Sequence, residues 1–302
     1  MPESRRGFLL GVAAYALWGL FPLYWPLLEP AGAVEILAHR VVWSLITMAV
    51  LAVAGHQLPA VRAIFADRRS LALLSVAATV IAVNWGTYIW GVNNHRVVET
   101  SLGYFINPLV TVLMGVLILK ERLRPWQWAA IGIAAAAVVG LAVEYGRPPW
   151  VALVLAFSFG TYGLAKKIAG VGAVPSITFE TLALSPVALL YLVVLGSHGG
   201  GHFTTDGPWH AVLLASTGLV TAVPLICFGG AAIRVSLTTI GLLQYLAPIL
   251  QFLLGVAVFH EQMTTMRWVG FVAVWIALMI FTFEALRHRR RQVRLAVEAA
   301  AV

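Results

Sequence analysis

Ten long apolar runs follow one another along the 302-residue chain, each bounded by charged residues, glycine or proline. An α-helix needs roughly 20 apolar residues to cross about 30 Å of hydrocarbon, and only helices or closed barrels satisfy their backbone polar groups in lipid. The runs lack the apolar–polar alternation of barrel strands. The pattern therefore predicts an all-α polytopic membrane protein with ten transmembrane helices, at residues 7–28, 33–54, 70–92, 99–119, 126–145, 149–165, 175–195, 209–232, 236–259 and 266–286.

A short segment between the second and third spans has a different pattern. Its apolar residues recur at helical spacing, with arginines and an aspartate among or beside them: Leu58, Val61, Ile64 and Phe65. This amphipathic pattern indicates a short helix that lies on the membrane interface. An ordinary loop is the alternative.

A repeat with an offset of 140 residues divides the chain into two halves. Residues 107–121 align without a gap on residues 247–261, and proline, glycine, glutamate and tryptophan coincide in Pro108 and Pro248, Gly115 and Gly255, Glu121 and Glu261, and Trp128 and Trp268. Five spans in each half, an odd number, require the halves to be inverted relative to one another. We expect repeats at residues 1–145 and 146–287 and a basic cytoplasmic tail at residues 288–302. Inverted repeats are typical of secondary transporters with a substrate site near the membrane midplane.

The composition and charge agree with a membrane location. Hydrophobic residues make up 61% of the chain, charged residues 11%, and the mean hydropathy is +0.90. The net charge is +8, but the basic residues form short clusters between the apolar runs. If the N-terminus is cytoplasmic, sixteen of the twenty lysines and arginines lie on the cytoplasmic side. The positive-inside rule then predicts an inner-membrane protein with both termini cytoplasmic, and nucleic acid is not an expected partner.

Each half also carries a Pro-(x6)-Gly-(x5)-Glu pattern before its last span, and this repeated pattern resembles that of the EamA-type family of the drug/metabolite transporter superfamily. Within that family the chain is similar to the RarD subgroup. The resemblance implies alternating access without ATP and a central cavity lined mainly by the first, third, fourth, sixth, eighth and ninth helices. The stretches that are similar to the RarD subgroup are residues 38–44, 84–85, 88–93, 99–108, 158–163 and 179–182.

Polar and aromatic residues inside the spans are candidates for contact with a substrate. In the third span, amides and aromatic rings share one side of the helix, a combination that suits a partly apolar organic ligand; hydrogen bonding between helices and an interfacial tryptophan belt are the alternatives. Other candidates surround the prolines of the fourth and ninth spans or lie in the first and sixth. The cavity candidates are Trp18, Asn84, Trp85, Tyr88, Asn93, Tyr104, Asn107, Tyr162, Gln244 and Tyr245.

Charged residues within the spans are candidates for gating or coupling, because a charge in lipid costs several kcal/mol unless it is paired or hydrated. The candidates are Glu35, His39, Arg40, Glu99 and Glu180. Arg40 either reaches outward to the interface or has a role in the substrate site or gate. It aligns with Glu180 at the repeat offset, so the two charges could pair if the second and seventh helices meet.

The sequence lacks a paired-carboxylate, Ser-His or His-Glu-x-x-His motif, so an enzyme is not expected. No cofactor or metal is expected either, because the histidines near residue 200 lie in a glycine-rich loop rather than in one of the predicted helices. The predicted function is secondary transport of small organic metabolites or drugs, by export or exchange, with a membrane scaffold or channel-like pore as the alternative. The expected partners are a small-molecule substrate and the lipid bilayer, and the expected assembly is a monomer or weak homo-oligomer.

Overall fold

The computed structural model describes residues 3–120, 123–235 and 237–300, and these form an all-helical bundle. Ten stretches are long and apolar enough to cross a membrane, with α10 and α11 sharing one of them. The prediction of ten spans is therefore confirmed. The helices are α1 (Glu3–Leu20), α2 (Ala33–Ala54), α3 (Leu58–Ala66), α4 (Arg68–Asn93), α5 (Val97–Leu119), α6 (Pro125–Tyr145), α7 (Trp150–Ala169), α8 (Ala173–Ser197), α9 (Gly207–Ala232), α10 (Leu237–Leu243), α11 (Leu246–Ala257) and α12 (Thr265–Ala300).

The 140-residue repeat is visible in the helix boundaries. Helices α2 and α8 begin at Ala33 and Ala173, and α6 and α12 begin at Pro125 and Thr265, both pairs at an offset of 140. Glu121, which aligns with Glu261, lies outside the described residues. Helix α12 continues to Ala300, into the segment expected to form the basic tail.

The two halves are interlocked rather than side by side. Three pairs of equivalent helices pack on each other, namely α2 on α8, α5 on α11 and α6 on α12. Helix α1 packs on α9 and α11 of the second half, and its counterpart α7 packs on α4 and α5 of the first. Such reciprocal packing is expected of inverted repeats related by a pseudo-two-fold axis in the membrane plane.

Prolines explain two departures from continuous spans. After α1, the chain forms short 3-10 turns at Phe21–Leu23 and Trp25–Leu28, each with a proline near its start. The ninth span is broken between α10 and α11 at Gln244 and Tyr245. The ring of a helical proline clashes with the carbonyl four residues earlier, and for Pro248 that residue is Gln244.

The interfacial segment forms the helix that its pattern predicts. Helix α3 buries Val61 and Ile64 and packs on α4 and α8. The following residue, Asp67, caps α4, because its carboxylate accepts hydrogen bonds from the Arg69 and Ser70 amides at 3.2 and 3.0 Å. This cap separates α3 from the third span.

The chain direction defines two faces of the bundle. We call the face where α1 begins and the tenth span ends the terminal face, and the other the opposite face. Under the opposite face, a tightly packed layer buries Trp25, Leu28, Val97, Val151 and Leu214 completely. Two surface pockets lie at the ends of the bundle: one of about 530 Å³ beside Glu3, Arg6, Leu9 and Leu10 on the terminal face, and one of about 340 Å³ lined by residues 29–33, 90, 93 and 94 on the opposite face.

Candidate functional site

Arg40 lies beneath the packed layer and is only 4% exposed. Its guanidinium carbon is 3.9 Å from the ring centre of Trp85, 5.1 Å from that of Trp25 and 5.9 Å from that of Phe21. Its Nε donates a 3.1 Å hydrogen bond to Thr221 Oγ1. These residues, which we call the Arg40 site, come from α2, α4, α9 and the turns after α1. The guanidinium is held inside the bundle rather than reaching to the interface.

The aromatic rings offset part of the cost of this buried charge. A cation over an aromatic ring gains roughly 0.5–2 kcal/mol, whereas an arginine at the centre of a span costs roughly 2.5–3.5 kcal/mol on insertion scales. No carboxylate forms an ion pair with Arg40 among the described residues. The rings therefore help to keep the guanidinium buried, but they do not neutralise it.

Three further cavity candidates stand next to the Arg40 site. The hydroxyls of Tyr88 and Tyr104 lie near the Arg40 guanidinium, and the two tyrosine rings meet edge to face at 5.6 Å. Tyr104 donates a 3.2 Å hydrogen bond to Asn84 Oδ1, whereas the Tyr88 hydroxyl is buried without a hydrogen-bond partner. Asn84 Nδ2 is 3.0 Å from both the Leu155 carbonyl and Ser158 Oγ. Asn84 thus makes the contacts between helices that were the alternative to a cavity role.

Glu35 joins the two halves on the opposite face. Its carboxylate accepts a 2.7 Å hydrogen bond from the His202 amide and lies 2.7 Å from His202 Nδ1. His210 continues the contact, since its ring nitrogens lie 3.0 and 2.9 Å from the carbonyl oxygens of His202 and Leu28. His39 stacks on Phe203 of the same loop at 4.9 Å. The loop between α8 and α9 is therefore fastened to the first half.

Glu99 makes a second connection between the halves on this face. Its carboxylate accepts hydrogen bonds from Arg147 at 2.8 and 3.3 Å and from the Val151 amide at 3.1 Å. The hydrogen bond to Glu99 raises the pKa of Arg147 above its usual value, so the guanidinium stays charged. Glu99 thereby holds the start of α7 against the start of α5.

Glu261 makes a third connection, which the sequence did not single out as a site. Its carboxylate accepts hydrogen bonds from the Val97 and Val98 amides at the start of α5, where negative charge is favoured by the helix dipole. Burial nevertheless raises the pKa of Glu261 to about 7, because desolvation outweighs the two amide bonds and the attraction of Arg267.

Glu180 lies toward the terminal face and has its own partners. Lys166 Nζ is 3.1 Å from Glu180 Oε1, and the Tyr162 hydroxyl donates a 3.1 Å hydrogen bond to Oε2. Lys166 and the buried Glu180 carboxylate therefore form an ion pair within the bundle. Helices α2 and α8 do meet, but Arg40 and Glu180 do not form an ion pair in this structure. Inversion of the repeats explains this outcome, since each residue lies near the start of a span that enters from a different face.

The remaining cavity candidates are dispersed. Trp18 packs its ring on Tyr15 and Phe228 at 5.3 and 5.9 Å. Asn93 lines the pocket on the opposite face. The others lie nearer the terminal face or at the helix break: the Thr111 hydroxyl donates a 3.4 Å hydrogen bond to Asn107, Gln244 lies at the break before α11, and the Tyr245 hydroxyl lies 3.4 Å from Thr282 on α12.

The sequence interpretation missed several residues of these contacts, and the reason differs between them. Thr221, Phe21 and Trp25 have no unusual spacing, and only the tertiary fold brings them to Arg40. His202 was considered only as one of the histidines near residue 200, where no metal site was expected. Glu261 did carry a signal, because it is one of the residues that coincide in the repeat.

The profile of the EamA-like transporter family matches the chain twice, at residues 5–143 and at residues 148–283. The chain belongs to the EamA-like transporter family. This EamA-like transporter is 56% identical to "Protein RarD" of Streptomyces exfoliatus over 299 residues, covering 99% of this chain and 95% of that protein. It is 41% identical to "Uncharacterized transporter YojE" of Bacillus subtilis (strain 168), covering 95% and 97% of the two chains. The expected resemblance to the RarD subgroup is confirmed.

A solved crystal structure shares the fold of this EamA-like transporter with a TM-score of 0.59 at 18% identity, covering 92% of this chain and 98% of the other. The family match and the ten apolar helices together show a multi-pass inner-membrane transporter. The family and the names of its relatives indicate transport rather than catalysis.

Proposed function

We propose that the protein is a secondary transporter that moves small organic molecules across the inner membrane by alternating access, as an exporter or exchanger. The observation that carries this proposal is the closure of the opposite face by contacts between the two inverted halves. Glu35 with His202, Glu99 with Arg147, and Glu261 with the start of α5 each join one half to the other. Beneath them lies the Arg40 site.

Polar contacts suit a closure that must open and re-form. Each is a hydrogen bond or ion pair near the end of a helix, where water can replace the partner once the halves separate. A permanent seal could be made from apolar packing alone. We therefore assign the structure to a state closed at the opposite face, which the charge distribution makes the periplasmic side if the termini are cytoplasmic.

A cross-linking experiment tests whether this closure must open during transport. Glu35→Cys and His202→Cys are introduced together into a Cys227→Ala background, and the protein is reconstituted into proteoliposomes. Uptake of labelled candidate metabolites is then measured with and without a pH gradient. Oxidation should stop saturable uptake, reduction should restore it, and each single-cysteine variant should be insensitive to the oxidant.

Other outcomes would reject the proposal. Uptake that continues in fully cross-linked protein would show that the opposite face need not open. Flux that does not saturate with concentration would favour a channel-like pore, and the absence of flux for the whole candidate set in the parent protein would favour a scaffold.

A further inference from the structure

We propose that Arg40 binds the negatively charged group of the transported molecule, so that the substrate class is a small organic anion, a carboxylate or similar oxyanion, with an apolar or aromatic body. The inference rests on the transport function proposed above and adds the chemistry of its substrate. Its basis is a buried cation with free hydrogen-bond donors, surrounded by aromatic rings.

The guanidinium has donors to spare. An arginine side chain carries five N–H groups in a planar fork that fits a carboxylate with two parallel hydrogen bonds. In this structure Nε donates to Thr221, and neither terminal nitrogen has a hydrogen-bond partner among the described residues. Thr221 is itself occupied, because its hydroxyl donates a 2.9 Å bond to the Thr217 carbonyl. An anion would supply the acceptors that the protein does not.

The position in the second half that aligns with Arg40 carries a buried charge that has a partner of opposite charge. Glu180 aligns with Arg40 at the repeat offset, and its charge is met by Lys166 at 3.1 Å. The titratable groups near Arg40 are the hydroxyls of Tyr24, Tyr88 and Tyr104, and no carboxylate of the described residues forms an ion pair with it. The second half thus neutralises the buried charge of Glu180 with its own lysine, whereas the first half leaves the positive charge of Arg40 without a counter-charge at the aligned position.

A second unsatisfied group lies beside the first. The Tyr88 side chain is 3% exposed and its hydroxyl has no hydrogen-bond partner in the described part of the chain, although buried polar groups in proteins are nearly always paired. A ligand anion between the guanidinium and this hydroxyl would satisfy both groups. The indole of Trp85 and the rings of Phe21 and Trp25 then offer contact area for the apolar part of the same ligand.

The alternative is that Arg40 is a structural residue whose stacking and single hydrogen bond merely join α2, α4 and α9. That alternative predicts that Arg40 contributes to stability but not to discrimination between charged and neutral ligands. Charge discrimination is therefore the property to measure.

The test uses purified full-length protein in detergent and three pairs of probes that differ in charge but hardly in shape: benzoate and benzamide, cinnamate and cinnamamide, and indole-3-acetate and indole-3-acetamide. Each probe is titrated while the unfolding temperature is recorded, since a ligand that binds only the folded state raises it. The variants are Arg40→Gln, Arg40→Lys and, as a matched control, Arg96→Gln. Arg96 also stacks on a tryptophan, at 4.9 Å from Trp90, but outside the Arg40 site.

In the parent protein and in Arg96→Gln, at least one carboxylate should raise the unfolding temperature at a concentration where its amide does not. Arg40→Gln should weaken the apparent affinity for that carboxylate by about tenfold or more, the loss expected for a hydrogen bond to a charged group. Arg40→Lys should keep part of the preference. If Arg40→Gln does not fold, the proposal is tested by comparing the preference for carboxylate over amide in Arg40→Lys with that in the parent protein. No carboxylate preference in any pair, or an equal preference in Arg40→Gln, would overturn the proposal.

Flux measurements separate this inference from the transport function on which it rests. Arg40-dependent binding of a carboxylate without flux in proteoliposomes would leave the anion site standing and reject transport of that anion. Saturable flux of neutral molecules that is the same in Arg40→Gln and in the parent protein would support the transport function and reject the anion site.

Discussion

Gly218 lies where α9 approaches α2 most closely, and its replacement by alanine is a sharp test of that contact. A Cβ atom at Gly218 would lie 2.3 Å from the Trp43 carbonyl oxygen, 2.6 Å from the carbonyl carbon and 2.7 Å from Thr47 Oγ1. Two of these three atoms are backbone, so the clash cannot be relieved by turning a side chain. Thr221, the partner of Arg40, lies one helical turn further along α9.

The size of the effect follows from two opposing contributions. Optimal carbon contacts lie at about 3.5–4.0 Å, so the helices must separate by about 1 Å at this point. Overpacking of this kind costs about 1–3 kcal/mol, and alanine in place of glycine in a helix returns about 1 kcal/mol. The difference between the two contributions predicts that Gly218→Ala lowers the free energy of unfolding by up to about 2 kcal/mol. The Arg40–Thr221 hydrogen bond at 3.1 Å should lengthen as well.

The same helix provides the control. No atom lies within 4 Å of a Cβ placed on Gly229, so Gly229→Ala should gain the helix propensity without a clash and stabilise the protein by about 0.5–1 kcal/mol. The assay is thermal unfolding in detergent, followed by circular dichroism for both variants. A shift of about 2 °C is expected per kcal/mol. If the Gly218→Ala variant is at least as stable as the Gly229→Ala variant, α2 and α9 do not approach each other as closely as the structure shows.

Three further predictions concern the opposite face and the topology. Glu99→Gln should destabilise the protein by about 1–2 kcal/mol through loss of a charge-assisted hydrogen bond. In a double-mutant cycle with Arg147→Gln, the two changes in the free energy of unfolding should not be additive. Additive changes would contradict the contact between Glu99 and Arg147. Because burial raises the pKa of Glu261 to about 7 from 4.5, its contribution to stability is complete below about pH 4.5 and is lost as the pH rises through about 7. The unfolding temperature should therefore fall over that range in the parent protein and fall less in Glu261→Gln; equal pH profiles would contradict this. Cytoplasmic reporters should be active at the C-terminus and periplasmic ones near Gly200, whereas two reporters in one compartment would exclude ten spans with cytoplasmic termini.

The number of spans, the repeat and the interfacial helix could all be predicted from the sequence. Each depends on properties that are local in the chain: the length of an apolar run, the period of its pattern, or the alignment of Pro108 with Pro248. Hydrophobicity alone places such segments in a membrane, and no knowledge of neighbouring helices is needed. The break in the ninth span could not be predicted in this way, because Pro108, Pro186 and Pro224 lie inside helices that continue past them.

The partners of the charged residues could not be predicted in this way. Arg40 and Glu180 were aligned by the repeat, but only the packing showed that inversion keeps them apart and that Lys166 neutralises one of them. The same applies to Glu35, whose partner His202 is 167 residues away in the chain. Which residues enter the membrane can be predicted without the fold, because it depends on the hydrophobicity of short stretches of the chain. Which buried charges are balanced was decided by the tertiary structure, because ion pairs form between residues that only the packed helices bring within a few ångströms.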